Sequence, residues 1–374
     1  MSETGHTYLI PCLLGLEGLI AAELREMGAG GVRAENGRVF FSGALSLMAR
    51  ANIRSRFAER VQIVVGTFPA KSFEELFQGT KALPWEAWLG RRDAFPVKGY
   101  SLNSTLYSVS DCQSIIKKAV VERLKSTYHQ NWFDETGAVH QIQFSIMKDR
   151  VTLVLDTSGA GLHKRGYRLQ AGGAPLKETL AAALCEISKL RPYHTLYDPL
   201  CGSGTILIEG ARMARNIAPG LRRNFAAELW DQVPRDIWRS ERDAAEMLAT
   251  EAPQFRAFGC DNDPEVIALA QENAKRAGVA DCVRFEVADL DDFTHPSERG
   301  TLITNPPYGE RLLDIEQADA LTRRMGVLFT PRKGWSYTIL SSSEAFEETF
   351  GRRADARRKL YNGMLKCQAF MYYK

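Results

Sequence analysis

The sequence contains no apolar run close to the ~20 residues that a membrane-spanning helix needs. Its first residues, MSETGHTYLIPC, lack the basic-then-apolar pattern of a signal peptide. Internal repeats and low-complexity segments are also missing. These absences exclude membrane and fibrous classes and predict a cytoplasmic globular protein.

Clustered cysteine and histidine are missing as well. The seven cysteines form no Cys-x-x-Cys pair, and none of the six histidines lies at metal-ligand spacing from them. A disulfide framework and a structural zinc site are therefore not expected, and we predict no metal. A net charge of +3 is too small to require a polyanionic partner, although it permits nucleic acid.

What is present is an ordered series of strands and helices, long enough for two or three domains. The first segment alternates as strand, helix, strand, strand, helix and strand, which is typical of a split βαβ unit. A second α+β unit follows. From about residue 175 onwards strands alternate with helices of 10–15 residues, which predicts a doubly wound α/β sheet. The dipeptide Asn362-Gly363 predicts an antiparallel hairpin at its edge, and residues 216–253 look like an irregular insertion.

The segment YDPLCGSGT places an acid at a strand end, followed by a glycine turn and a helix that starts at about Thr205. Leu207 departs from the dinucleotide fingerprint, and no Walker lysine is present. Asp198 would repel a pyrophosphate but suits an amino group, such as the α-ammonium of S-adenosylmethionine (SAM). The cofactor-binding residues expected in this turn are Asp198, Leu200, Cys201, Gly202, Ser203, Gly204 and Thr205. A purely structural glycine turn is the alternative.

Acidic side chains also end the next two strands. Asp261, followed by Asn262, could accept both ribose hydroxyls, or could cap the next helix together with Asp263. Asp289 could accept from an adenine amino group, with Leu290 donating its backbone N–H. A solvated acidic loop is the alternative.

The fourth strand ends in Asn305-Pro306-Pro307-Tyr308. Four such strand ends in succession resemble the class I SAM-dependent methyltransferases of the N-P-P-Y type, which methylate nitrogens conjugated to a π-system. The resemblance implies that the Asn305 side-chain oxygen and the Pro306 carbonyl bind both amino hydrogens. Pro307 would make the corner rigid, Tyr308 would stack on the base, and Asn305 would also border the cofactor.

The remaining segments narrow the resemblance. GLEGLIAAELREMGAGGV, ENGRVFFSG and LHKRGYR…APLKETLAAAL resemble the THUMP-bearing RNA guanine-N2 methyltransferases of the RlmL type across essentially the whole chain. This implies a ferredoxin-like domain (1–67), a THUMP RNA-binding domain (68–168) and a seven-stranded class I methyltransferase domain (169–374). The expected partner is 23S rRNA or a large-subunit precursor, with tRNA as an alternative. Because no second methyltransferase domain follows, one chain should perform one methylation.

Two basic segments are candidates for RNA binding. In the first, cations interleave with an aromatic residue, although a solvated interdomain linker would look the same. The second is expected near the catalytic face, with a charged surface helix as the alternative. The candidate RNA-binding residues are His163, Lys164, Arg165, Tyr167 and Arg168 in the first segment, and Arg352, Arg353, Arg357 and Arg358 in the second.

Other functions remain open at this point. The same core could methylate adenine N6 or a glutamine amide, or could belong to an inactive RNA-binding assembly factor. Cytosine C5 chemistry, which needs a cysteine nucleophile, is disfavoured. Pro11-Cys12 lies in an apolar strand, and Cys201 is better placed to line the cofactor cleft.

Overall fold

The computed structural model describes residues 5–168, 176–307 and 315–373, whose strands form two seven-stranded sheets. None of the helices in this part of the chain has the length and apolar character that a membrane crossing requires. Tyr308 and the segment 169–175, which includes Gly172, Gly173 and Pro175, lie outside the described residues.

The first sheet covers both units of the front half. Its strands are β1 (His6–Pro11), β2 (Gly30–Glu35), β3 (Arg38–Gly43), β4 (Gln62–Pro69), β5 (Val97–Leu102), β6 (Ile142–Met147) and β7 (Arg150–Asp156), in the order β2-β3-β1-β4-β7-β6-β5. The associated helices are α1 (Glu17–Glu26), α2 (Leu45–Arg54), α3 (Phe73–Lys81) and α4 (Val109–Tyr128). The first four strands have the connectivity expected of a split βαβ unit.

Strand β4 joins the two front units into one sheet. It pairs antiparallel with β1 on one side and with β7 on the other. The expected boundary between residues 67 and 68 therefore falls inside a shared strand. Helix α3 begins directly after it, where Ser72 and Glu75 form a reciprocal capping box.

The second sheet has the order β10-β9-β8-β11-β12-β14-β13. Its strands are β8 (Thr195–Asp198), β9 (Arg256–Asp261), β10 (Val283–Val287), β11 (Gly300–Thr304), β12 (Trp335–Ser341), β13 (Ala356–Asn362) and β14 (Leu365–Tyr372). Its helices are α5 (Glu178–Ile187), α6 (Thr205–Ala214), α7 (Arg235–Met247), α8 (Pro264–Ala277), α9 (Ile315–Leu328) and α10 (Phe346–Phe350).

Strands β8 to β12 pair in parallel, whereas β14 is antiparallel to both of its neighbours. This confirms the doubly wound sheet and its edge hairpin. The strand order reverses between β8 and β11, and ligands of open α/β sheets bind beyond the carboxyl ends of strands at such a point. The fold therefore directs attention to the ends of β8, β9, β10 and β11.

The insertion at 216–253 is ordered, so the expectation of an irregular stretch was wrong. It contains α7, whose Trp238, Glu241 and Ala245 are buried at helical spacing. Glu241 accepts two hydrogen bonds from Arg50 of α2, at 2.9 and 2.7 Å. The insertion is thus a clamp between the two halves of the chain.

A tryptophan of the same insertion strengthens this clamp. The Trp230 ring stacks on His140 with centroids 4.2 Å apart, and its Nε1 donates to the Val139 carbonyl at 3.1 Å. Only 2% of Trp230 is exposed. Aromatic burial of this kind dominates interface energetics, so the two halves form a tightly packed joint.

Candidate active site

The glycine turn after β8 has a backbone that other residues would not adopt. Gly204 has a φ of +78°, and a Cβ built on it would lie 2.6 Å from the Phe285 ring. Gly202 also has a positive φ, of +51°, but a Cβ there would meet no heavy atom within 4 Å. Gly204 allows close packing against β10, whereas Gly202 borders open space in which a ligand can approach the backbone.

Two neighbours hold the turn in place. The Cys201 N–H donates to the Cys260 carbonyl at 2.8 Å. Asn273 of α8, which is buried, donates from Nδ2 to the Ser203 carbonyl at 3.1 Å. The contribution of Asn273 was not predicted, because nothing in its local sequence indicates a partner 70 residues away.

Asp198 is a buried acid whose charge has no basic partner among the described residues. Its side chain accepts the Leu200 N–H at 3.2 Å, and only 2% of the residue is exposed. Burial raises the pKa of Asp198 to about 7, and the nearby charge of Asp261 acts in the same direction. A carboxylate in such a place is stabilised by a cationic ligand, and the ammonium of SAM fits this requirement.

Asp261 connects the glycine turn after β8 with the loop after β9. One of its oxygens accepts the Gly202 N–H and the other accepts the Asp263 N–H, each at 3.1 Å. The helix cap is Asp263, which accepts from the backbone of Glu265 and Val266. Asp261 is therefore not the N-cap of α8. Its role towards ribose, and that of the exposed Asn262 beside it, stay predictions.

Asp289 has partners that the sequence did not indicate. Its carboxylate caps the short turn Leu290–Asp292 by accepting the Asp291 N–H at 3.0 Å, while Leu290 is buried. This hydrogen bond is the main reason that the pKa of Asp289 is lowered. Arg324 of α9 forms ion pairs with both Asp289 and Asp291. The acidic loop is therefore tied to the helix that follows the Asn-Pro-Pro corner.

The corner itself follows a fully buried strand. In-register pairing of Leu302 with Tyr197 brings the carboxyl ends of β11 and β8 side by side, so Asn305 lies at the same edge as Asp198. The Asn305 Oδ1 atom is buried and, within the described part of the chain, accepts no hydrogen bond. A buried acceptor without a partner is costly, and a donor from a ligand would satisfy it.

The two cysteines considered as nucleophiles, Cys12 of the front half and Cys201 of the glycine turn, are poor ones. Burial raises the pKa of Cys12 to about 12, and it raises the pKa of Cys201 well above the usual range. Nucleophilic cysteine chemistry requires a thiolate, which neither residue supplies at neutral pH.

Within residues 5–168, 176–307 and 315–373, no cluster of His, Cys, Asp and Glu could hold a metal ion.

The structure corrects the first group of RNA-binding candidates. Arg165 and Tyr167 are only 3% and 2% exposed. Arg165 donates to the Leu162 carbonyl, and the Tyr167 hydroxyl donates to Glu209 at 3.0 Å. Neither side chain can reach RNA, because both are packed inside the joint between the two halves.

The other three members of this group differ in position. His163 lies 3.4 Å from a carboxylate oxygen of Glu59 and is half-buried. Arg168 points to the glycine turn, where it donates to the Thr205 hydroxyl. Lys164 is exposed and is left as the accessible cation of the segment.

The second basic run is not a surface helix, because two of its four members, Arg357 and Arg358, lie in the edge strand β13. Arg357 pairs with Glu347, and Arg358 donates to the Gly15 carbonyl of the front half. Arg352 donates to the carbonyl of Phe329, which directly follows α9 at the start of the loop that leads to the amino end of β12. Arg352 and the adjacent Arg353 therefore lie at the edge opposite the candidate site, and their expected proximity to the catalytic face was wrong.

Family models match three consecutive segments of the chain. The RlmL ferredoxin-like domain matches residues 7–62, the THUMP domain matches residues 70–156, and the methyltransferase domain described as RMKL-like matches residues 165–370. These matches agree with the three kinds of domain expected from the sequence.

Similar proteins share nearly the whole chain. A candidate RNA methyltransferase of Bacillus subtilis (strain 168), YpsC, is 42% identical over 98% of this chain and 96% of its own. The ribosomal RNA large subunit methyltransferase K/L of Psychromonas ingrahamii is 35% identical over 96% of this chain and 49% of its own. The chain thus spans about half the length of the K/L relatives that it matches.

Two solved structures have the same overall fold. One, from Listeria monocytogenes and described as a predicted N6-adenine-specific DNA methylase, is 46% identical with a TM-score of 0.93, covering 99% of this chain and 96% of its own. The other is SMU.472, a candidate methyltransferase complexed with S-adenosylhomocysteine (SAH). It is 41% identical with a TM-score of 0.93, covering 100% of this chain and 99% of its own.

Proposed function

Because the chain belongs to the RMKL-like methyltransferase family, whose members depend on SAM, we propose that it methylates the exocyclic N2 of a guanosine in RNA. The proposed RNA is the 23S rRNA of the large ribosomal subunit. The THUMP match and the names of the YpsC and K/L relatives support an RNA substrate. The alternative RNA is tRNA.

One observation carries the assignment to a planar amino group. The buried Oδ1 of Asn305 has no partner among the described residues, and it lies at the same sheet edge as the buried Asp198. A side-chain amide oxygen next to two prolines is a fixed acceptor, and an exocyclic NH2 is a matching donor.

Fixed acceptors can promote reaction at such a nitrogen. The lone pair of a guanine amino group is delocalised into the ring, which makes it a weak nucleophile. When Asn305 Oδ1 and the Pro306 carbonyl each accept one amino hydrogen, the nitrogen is drawn towards tetrahedral geometry and its lone pair is freed. Asn305 is not a base at neutral pH, so positioning and electrostatics supply the rate.

Bound SAM supplies the electrophilic methyl group on its sulfonium. The chain's own residues hold the amino-acid end and the nucleoside end of this cofactor apart. We assign the ammonium to Asp198, the ribose hydroxyls to Asp261 and the adenine to Asp289 with Leu290. After transfer the methylated nitrogen is cationic and acidic, so its extra proton can leave once the methyl group has been transferred.

RNA geometry adds a requirement. The N2 group of a paired guanine lies in the minor groove of the A-form helix, so the target base must be single-stranded or flipped out of its stack. Tyr308 is proposed to stack on this base. Among the basic candidates, Lys164 is exposed and the structure gives it no side-chain partner, so it is proposed to contact the phosphate backbone.

We further propose domain limits of 1–67, 68–168 and 169–374, and a cytoplasmic location. The first limit is functional rather than structural, because β4 pairs with strands of both front units within one sheet. An inactive assembly factor is disfavoured because Asp198, Asp261 and Asn305 are all present at the cofactor edge.

The test is product identification. Purified protein would be incubated with labelled SAM and either rRNA or tRNA that lacks modification, and the nucleosides would be analysed by mass spectrometry. N2-methylguanosine in 23S rRNA is the expected product. Labelled N2-methylguanosine in tRNA alone would move the assignment to the alternative RNA. N6-methyladenosine, or methylated protein without methylated RNA, would overturn the choice of acceptor group.

A further inference from the structure

Arg168 is neither an exposed RNA contact nor a solvated linker residue, although these are the two roles that the sequence indicates. Its side chain is only 11% exposed, so it is not a surface RNA contact. One of its terminal nitrogens, Nη2, donates to the Thr205 hydroxyl at 2.5 Å and to the Leu176 carbonyl at 3.1 Å. Thr205 is the first residue of α6, directly after the glycine turn.

The guanidinium retains unused donors in this position. Arginine has five N–H groups, and Arg168 commits only Nη2 to hydrogen bonds within the described part of the chain. Its Nε is buried without a partner. The nearest carboxylate oxygen, on Glu178, lies 3.7 Å from Nη1, which is beyond hydrogen-bond distance. The charge of Arg168 is therefore close to a partner but incompletely satisfied.

The charges around the cofactor site indicate which ligand group the Arg168 guanidinium could bind. Acidic side chains dominate the ends of β8 and β9 and the loop after β10, among them Asp198, Asp261 and Asp289, and of these three Asp289 is already paired with Arg324. SAM presents an ammonium and a sulfonium to these acids, but it also carries an α-carboxylate that they would repel. Among the described residues, no basic side chain other than Arg168 forms a hydrogen bond or ion pair with residues 200–205.

We propose that Arg168 binds the α-carboxylate of SAM, an inference that rests on the SAM site proposed above. Asp198 and Arg168 would then bind the two opposite charges of the amino-acid group from either end of the glycine turn. The Thr205 hydroxyl positions the guanidinium, and Ser203, whose hydroxyl lies 3.3 Å from that of Thr205, lines the same turn. Arginine suits this task because its planar fork matches a carboxylate.

The test compares two ligands that differ in the relevant group. SAH carries the α-carboxylate, whereas 5′-methylthioadenosine has the same adenosine and thioether without the amino-acid group. Binding of each to the full chain would be measured by calorimetry for the wild type, Arg168→Gln and Arg168→Lys. A hydrogen bond to a charged group predicts that Arg168→Gln weakens SAH binding by ~10-fold or more, while methylthioadenosine affinity stays within about two-fold. Arg168→Lys should lie between the two.

Lys177→Gln is the matched control. Lys177 is a cation of the same linker region that pairs with Glu59 of the front half, and among the described residues its side chain forms no hydrogen bond or ion pair with the glycine turn. We expect this variant to bind SAH like the wild type. If Arg168→Gln does not fold, Thr205→Val removes the anchor of the guanidinium and should weaken SAH binding selectively.

Three results would overturn the inference. These are equal losses for both ligands in the Arg168 variants, unchanged SAH binding in Arg168→Gln, and a loss of the same size in Lys177→Gln. Equal losses would show that Arg168 only supports the fold. The comparison is independent of the acceptor base, because an enzyme that made N6-methyladenosine would show the same ligand selectivity.

Discussion

The proposed binding of the SAM ammonium by the buried carboxyl of Asp198 predicts that cofactor affinity depends on pH. Burial places its pKa at about 7 in the ligand-free protein, compared with an ordinary value of 3.8. A bound ammonium stabilises the carboxylate, so SAM must bind the ionised form. Protons therefore compete with the cofactor, and affinity should fall as the pH is lowered through 7.

The size of the effect follows from this competition. If the pKa returns to its ordinary value in the complex, the apparent Kd rises about 10-fold between pH 8 and pH 6, or ~1.4 kcal/mol. Binding should release about half a proton at pH 7 and nearly a whole one at pH 6. Folding stability has the opposite pH dependence, because the pKa of Asp198 is higher in the folded state than in the unfolded state. The stability that this carboxyl contributes is fully present below the unfolded pKa and is lost as the pH rises through about 7.

Calorimetry with SAH measures both quantities. Titrations at several pH values give the affinity, and buffers with different ionisation enthalpies give the number of protons released. Asp198→Asn keeps the shape of the side chain but removes its titration. The variant should bind SAH more weakly at pH 8 and should lose the pH dependence between pH 6 and 8. A wild-type affinity that does not change with pH, or an unchanged slope in Asp198→Asn, would refute the assignment of the ammonium to Asp198.

Three further predictions follow from the same geometry. Asn305→Ala should keep SAH binding near the wild-type level but lower single-turnover methyl transfer by ~100-fold or more, and full activity would contradict its proposed role. Gly204→Ala should lower the free energy of unfolding by ~1–3 kcal/mol and weaken SAH binding, because both the left-handed φ and the Phe285 ring oppose a Cβ. Gly28→Ala is the control for the effect of φ alone, since Gly28 has a similar φ but no atom near the added Cβ. Trp230→Ala should cost ~3–5 kcal/mol in urea unfolding, since it removes the ring that packs on His140; a loss under ~1 kcal/mol would show that the clamp does not hold the halves together.

Much of the architecture could be predicted because its signals are local. The alternation of buried strands with amphipathic helices indicates a doubly wound sheet, and Asn362-Gly363 marks the hairpin between β13 and β14. In a parallel sheet the carboxyl ends of strands share one edge, so the order of Asp198, Asp261 and Asn305 along the chain was enough to place them together.

The second basic run shows where local signals fail. Alternating exposure along β13 comes from a strand, but a short run of arginines has no period that separates a strand from a surface helix. Its position relative to the site depends on the register of β13 against β14 and β12, which is set by pairing across the sheet. The sequence therefore did not indicate that Arg352 lies near the amino end of β12 whereas Arg358 contacts the front half.

The sequence by itself determined which residues end the strands, which turns require glycine, and that Asn305 precedes two prolines at the end of a strand. These properties depend on neighbouring residues and on backbone sterics. Only the tertiary structure decided that Arg165 and Tyr167 are buried, that Arg168 reaches Thr205 and that Arg324 holds Asp289. A long side chain takes its partner from whatever segment packs beside it, and that segment is set by the burial of distant apolar surface rather than by the local sequence.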